Sequence, residues 1–273
     1  MQVASWWYFL CTVALLNILA WLVSVAVLRR QRPNMPQDSY AACRTQVILA
    51  AGYVFGCAFR SALPVFDVPR LCLFDIWLSS VIVGRSVATI AELCFAAQWA
   101  FLLGAAARTT QSSFLWTASR LLVPFILIAE ICSWYAVLTT SNLGHVIEEA
   151  IWGASAVMIV ISLAAFRPRC PAKWRSTISG AQIVGTIYAA YMFLIDVPMY
   201  WQRWLADESR GHGYLTISQG LFDTLERRVV SHRWEDWQGE VTWMSLYFSI
   251  AVWISIALIF AARGALFARR RSS

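Results

Sequence analysis

Apolar runs recur along the chain, each long enough to cross a bilayer and each stopped by arginines or by a short polar turn. The first extends from Ser5 to Leu28 and ends against Arg29-Arg30-Gln31-Arg32. Its positive charge follows the apolar run, and no small-residue cleavage site comes after it. It therefore reads as an uncleaved first span with its N-terminus outside. Six further spans are expected over residues 44–66, 85–107, 121–140, 145–166, 178–201 and 242–267. The pattern predicts an all-α integral membrane protein of seven transmembrane helices, arranged as a single membrane domain.

Two stretches interrupt this pattern. The amphiphilic piece Leu71 to Leu78 follows Pro69, and together with the next span it is too long for one crossing. It is placed along the outer surface, with a long tilted helix from Leu71 to Ala107 as the competing reading. Residues 202–241 form the only long connection, an extracytoplasmic loop. Within it Ile217, Leu221, Leu225, Val229 and His232 recur at three- and four-residue spacing, which predicts an amphipathic helix able to fold down as a lid.

Composition agrees with the pattern. Of 273 residues, 59% are hydrophobic, 14% are charged and 15 are tryptophan, a residue that gathers at bilayer interfaces. A net charge of +7 would suggest nucleic acid in a soluble chain. Here the arginines sit at span ends, so topology explains them and no nucleic-acid partner is expected. Arg29, Arg30, Arg32, Arg44, Arg108, Arg120, Arg167, Arg169, Lys173, Arg175 and the terminal Arg269-Arg270-Arg271 fall on one side, which the positive-inside rule assigns to the cytoplasm. The C-terminus is then cytoplasmic, and the compartment is a plasma or inner membrane. Seven scattered cysteines form no C-x-x-C pair, so neither a disulfide framework nor a structural zinc site is expected.

Candidate chemistry lies in the charges that the spans carry. At 100° per residue, Arg85, Thr89, Glu92, Ala96 and Trp99 share roughly 80° of arc. An ionised group facing lipid is costly, so this face should point to the protein interior. Arg60, Glu92, His145, Glu148, Glu149 and Asp196 are expected at similar depth in the outer half, with Glu130 deeper, at the floor of an outward-opening polar cavity. The run His145-Val146-Ile147-Glu148-Glu149 places a carboxylate on either side of the imidazole face, as carboxylate-rich metal sites in bundles do. Acids in a first helical turn are also favoured by the helix dipole alone.

These features point to a membrane-embedded enzyme acting on a lipid or other amphiphile. A divalent metal ion would be held by His145, Glu148, Glu149, Glu92 and Asp196. Glu92 and Glu130 are candidate general acids or bases, Arg85 and Arg60 would steady an anionic group, and His232 would join from the lid. A transporter or proton-coupled channel built on intramembrane carboxylates is the alternative, followed by a non-catalytic receptor or complex subunit; an oligomer is compatible with each. A retinal-type protein is excluded because the single lysine, Lys173, lies in a loop. Three dispersed histidines exclude multi-histidine membrane hydrolases and two-haem cytochromes. No G-x-S-x-G, H-E-x-x-H or P-loop pattern occurs.

Overall fold

The computed structural model describes residues 2–267, whose regular structure is helical apart from three two-residue strands. The elements are α1 (Val3–Gln31), α2 (Gln37–Ala62), β1 (Val65–Phe66), β2 (Leu71–Cys72), α3 (Val81–Thr110), α4 (Ser113–Thr139) and α5 (Asn142–Phe166). They continue as α6 (Ala172–Tyr191), α7 (Val197–Ser209), α8 (Ile217–Glu226), β3 (Val229–Val230), α9 (Trp234–Leu246) and α10 (Val252–Phe267). Single wide π-type turns, Met192–Asp196 and Tyr247–Ala251, join α6 to α7 and α9 to α10 into continuous rods. Seven of these rods are long and apolar enough to span a membrane. The chain is a multi-pass integral membrane protein, and its spans contact the bilayer.

The boundaries depart from the hydropathy reading where local chemistry overrides it. The third span begins at Val81, because Ser80 is extended (φ −70°, ψ 147°). Leu71 to Leu78 forms neither a surface helix nor the start of a long tilted one; it holds β2 and the beginning of a single tight turn, Trp77–Ser79. The last span starts at Trp234, where Glu235 and Asp236 in the first turn complement the helix dipole. The amphipathic periodicity of the long connection ends at Glu226. Val229 and Val230, both β-branched, pair with β2 in parallel, Leu71 opposite Val229 and Cys72 opposite Val230. Val229 and His232 are therefore not on the face of α8. The terminal arginines 269–271 lie outside the described residues.

The described chain packs as two compact units, one built from residues 2–98 with Ile217–Phe260, the other from Trp99–Thr216 and residues 261–267. In the first unit Leu10, Tyr53, Val54, Trp237, Phe248 and Ile259 form a fully buried core. Asn17, buried in the middle of α1, donates to the Phe248 carbonyl (2.8 Å) within the wide turn, where the helical ladder is interrupted. A Cβ on Gly52 would meet Cys94 Sγ at 2.5 Å, and one on Gly56 would meet Ala91 Cβ at 2.7 Å, so these glycines let α2 touch α3. Gln98 donates to the Gln46 and Ser255 carbonyls (3.3 and 3.1 Å) and accepts from Ser255 Oγ (2.5 Å), while Gln46 donates to the Gln98 carbonyl (2.9 Å).

In the second unit α5 packs against α4 on one side and α6–α7 on the other. Thr140 adopts a left-handed conformation (φ 61°) that ends α4 and reverses the chain. A Cβ on Gly144 would lie 2.5 Å from the Cys132 carbonyl and 2.9 Å from the Ala136 nitrogen, so the two backbones meet there with only hydrogen between them.

Candidate functional site

The close approach at Gly144 determines what stands beside α4. One residue on, His145 is buried, and one turn further Glu148 is buried too (4% exposed). Facing them on α4 is Glu130 (1% exposed), with Ser133 one turn beyond it. Glu130 and Glu148 offer carboxylate oxygens within 4.8 Å of each other, a spacing that one cation can bridge. His145 Nδ1 lies 2.8 Å from Glu148 Oε2. An ionised carboxylate only accepts, so against ionised Glu148 it is Nδ1–H that donates. The imidazole also lies against Tyr200, ring centroids 4.9 Å apart, and Arg203 covers that phenol ring at 5.2 Å.

Two carboxylates this close repel strongly. At an effective dielectric of ~20, two full charges at that separation cost about 3 kcal/mol. A proton shared between them or a positive ion is the physical remedy. Carboxylate oxygens and an imidazole nitrogen are hard to borderline donors, suited to Mg, Mn, Fe or Zn.

The first unit carries a different arrangement. Arg85, on α3, places Nη2 3.6 Å from Glu92 Oε2 and Nη1 4.0 Å from Asp67 Oδ2, all three side chains being buried. Arg70 is 1% exposed, donates to the Asp67 carbonyl (2.7 Å) and pairs with Asp223 Oδ2 (2.8 Å) on α8. Its backbone is left-handed (φ 74°), a strained state for a non-glycine, and both bonds hold it there. Together with β1, β2 and β3 these pairs fasten the second half of the long connection onto the segment between α2 and α3. Arg60 is also buried, donating to the Val65 carbonyl (3.3 Å) and lying over the Phe248 ring at 5.9 Å. Among the described residues no acid lies within ion-pair distance of it.

The first half of the long connection is fastened inside the second unit. Leu215 N donates to the Thr139 carbonyl (3.1 Å), His212 Nε2 lies 3.3 Å from Thr140 Oγ1, and Asn142 donates to Asp207 (2.8 Å). Burial, with help from the neighbouring Glu208 that accepts its hydroxyl at 2.7 Å, pushes the Tyr214 phenol up to about 12.

Of the residues singled out from the sequence, the second unit gathers Glu130, His145 and Glu148, and the first pairs Arg85 with Glu92. Glu149 and Asp196 are half-buried, and neither makes with Glu130 and Glu148 a group whose ligand atoms all lie within 4.8 Å. His232 is exposed. Sequence reasoning passed over Arg70, Asp67 and Asp223, which carry no motif, and gave Gly144 no part in the site. The small residues Ala129, Ser133 and Ala136, recurring at helical spacing on α4, are the signal that a close partner was needed there. No family model, curated protein or solved structure matches the chain.

Proposed function

We propose that this chain is a membrane-embedded enzyme that handles a lipid or other amphiphile, using a divalent cation held between α4 and α5. The observation that carries the reading is the buried Glu130–Glu148 pair, its oxygens within 4.8 Å, with His145 hydrogen-bonded to one member. Buried intramembrane carboxylates are retained where they serve a site or a pathway. Glu130 and Glu148 would be the ligands. A bound divalent cation supplies an electrophile for an ester or phosphoryl oxygen and an acidified water. His145 fixes the orientation of Glu148 through Nδ1–H and presents Nε2 to accept or return a proton. Burial of the pair excludes bulk water from it.

Transport is the weaker reading. A proton wire needs a continuous run of polar groups through the other half of the spans, and there Gln98 and Ser255 are spent on each other and on carbonyls, while Gln46 keeps a spare acceptor at Oε1. The test is metal analysis of protein purified after supply of Mg, Mn, Fe and Zn. Stoichiometric metal in the wild type, abolished in Glu130→Gln and Glu148→Gln and weakened roughly 10- to 100-fold in His145→Ala, is expected. Glu92, Glu149 and Asp196, expected from the sequence as further ligands, enter as separate variants, as do Arg60, Arg85 and His232. Wild-type protein without stoichiometric metal, and indifferent to chelators in thermal unfolding, would sink the proposal.

A further inference from the structure

A second feature lies at the other end of α5, away from the carboxylate pair. Between α5 and α6 runs an open groove of about 510 Å³, lined by Arg167, Ser179, Gln182, Val160, Ile183, Thr186 and Ile187. Its lining is graded. Arg167, at the end of α5, supplies a guanidinium at one end beside Ser179, whose hydroxyl donates to the Arg175 carbonyl (3.0 Å), and the Gln182 carboxamide follows about one turn along α6. Beyond it, Val160, Ile183 and Ile187 are apolar, with Thr186 the only polar side chain. Gly185 brings the helices together at the far end, since a Cβ there would meet Val160 Cγ2 at 2.8 Å.

Polar side chains on a membrane span are costly unless they meet a partner. Among the described residues, none hydrogen-bonds to the side chains of Gln182 or Thr186, and no acid pairs with Arg167. The neighbouring basic residues are occupied locally. Arg169 and Arg175 donate to backbone carbonyls, and Lys173 lies over the Trp174 ring. Arg167 is the guanidinium turned to the groove, inside a locally positive field.

We propose that this groove binds an anionic phospholipid, its phosphate on Arg167, its glycerol-ester oxygens on Gln182, and one acyl chain along Val160, Ile183 and Ile187. The order of groups along the groove, from cation through hydrogen-bond donor to hydrocarbon, is the order of groups along such a lipid. Basic pockets between transmembrane helices recognise anionic headgroups by the same chemistry. This assignment does not depend on the metal reading of the Glu130–Glu148 pair.

The test is native mass spectrometry of full-length protein taken from vesicles of mixed phosphatidylglycerol and phosphatidylcholine. Wild type should retain phosphatidylglycerol preferentially. Arg167→Gln should lower that preference about tenfold, the loss expected of one charge-assisted hydrogen bond, and Gln182→Leu should lower retention of both lipids. Arg30→Gln, an exposed basic residue at the end of α1, is the control for diffuse attraction and should change nothing. Circular dichroism and elution volume show that each variant is folded. Equal losses in the Arg30 and Arg167 variants would mean a diffuse field and overturn the site. Unchanged retention in Arg167→Gln/Gln182→Leu would overturn it as well. A wild-type dimer that loses its partner and holds no lipid in that double variant would assign the groove to a second copy of the chain and refute the lipid.

Discussion

Replacing Gly144 by alanine should separate two helices and, with them, the carboxylate pair. The added Cβ would sit 2.5 Å from the Cys132 carbonyl, 2.8 Å from Ala136 Cβ and 2.9 Å from the Ala136 nitrogen, where ordinary contacts begin at 3.4 Å. Two of those neighbours are backbone atoms, which cannot rotate aside. Helix α5 must therefore retreat by roughly 1 Å, and overpacking of this kind costs about 1–3 kcal/mol. Alanine also gains helix propensity, so Gly180→Ala serves as reference, because a Cβ at Gly180 meets nothing within 4 Å. The difference in unfolding free energy between the two variants isolates the clash. Ligand distances tolerate only about ±0.2 Å, so a shift of this size should also abolish the metal binding proposed for the site. Denaturant unfolding in detergent and metal content read the two effects on one sample. If Gly144→Ala matches Gly180→Ala in both, the helices are not in the contact described, and the reasoning that joins His145 and Glu148 to Glu130 fails with it.

Other perturbations test the remaining contacts. Arg70→Met should strand Asp223 and relax the left-handed backbone, costing about 2–4 kcal/mol given that Asp223 is partly exposed. Pairing it with Asp223→Asn in a double-mutant cycle should show strong non-additivity, and limited proteolysis should cut between α8 and α9; additive losses with no new cleavage would refute the clasp. Tyr214 is held neutral by the fold, its value raised to about 12 from an ordinary 10, so its contribution is complete below pH 10 and is lost as pH rises through 12. Proteolytic sensitivity of the 202–216 segment should rise over that window in the wild type, and Tyr214→Phe should abolish the dependence.

The spans were legible because hydropathy is a local property: twenty apolar side chains in a row identify themselves without reference to any partner. What depended on distant partners was not. Val229 keeps helical spacing with Leu221 and Leu225, yet it pairs with Leu71, more than 150 positions earlier, and no periodicity reports a strand made by a neighbour. The sixth rod continues to Ser209 past Trp201, Gln202 and Arg203, residues that read as a membrane exit but remain good helix formers. Glu92 and Glu148 were legible as expensive intramembrane acids. That Glu130 stands beside Glu148, where the sequence suggested only a floor, follows from Gly144, and a glycine reports a close approach without naming what approaches.

The two units treat their buried acids differently, and that difference argues for where chemistry resides. In the first, Glu240 accepts from the Trp243 indole N–H, and Asp67, Glu92 and the half-buried Asp223 are matched with guanidinium groups, which stay charged at any pH a membrane protein meets. Such pairs stiffen a structure and release nothing. In the second, Glu148 is matched with an imidazole, which can give its proton up and take it back, and it stands within 4.8 Å of another carboxylate. The imidazole lies against the Tyr200 ring, centroids 4.9 Å apart. A reaction centre needs a group that can exchange a proton at fixed geometry, and the site proposed between α4 and α5 holds an imidazole, which the Arg70 and Arg85 pairs do not.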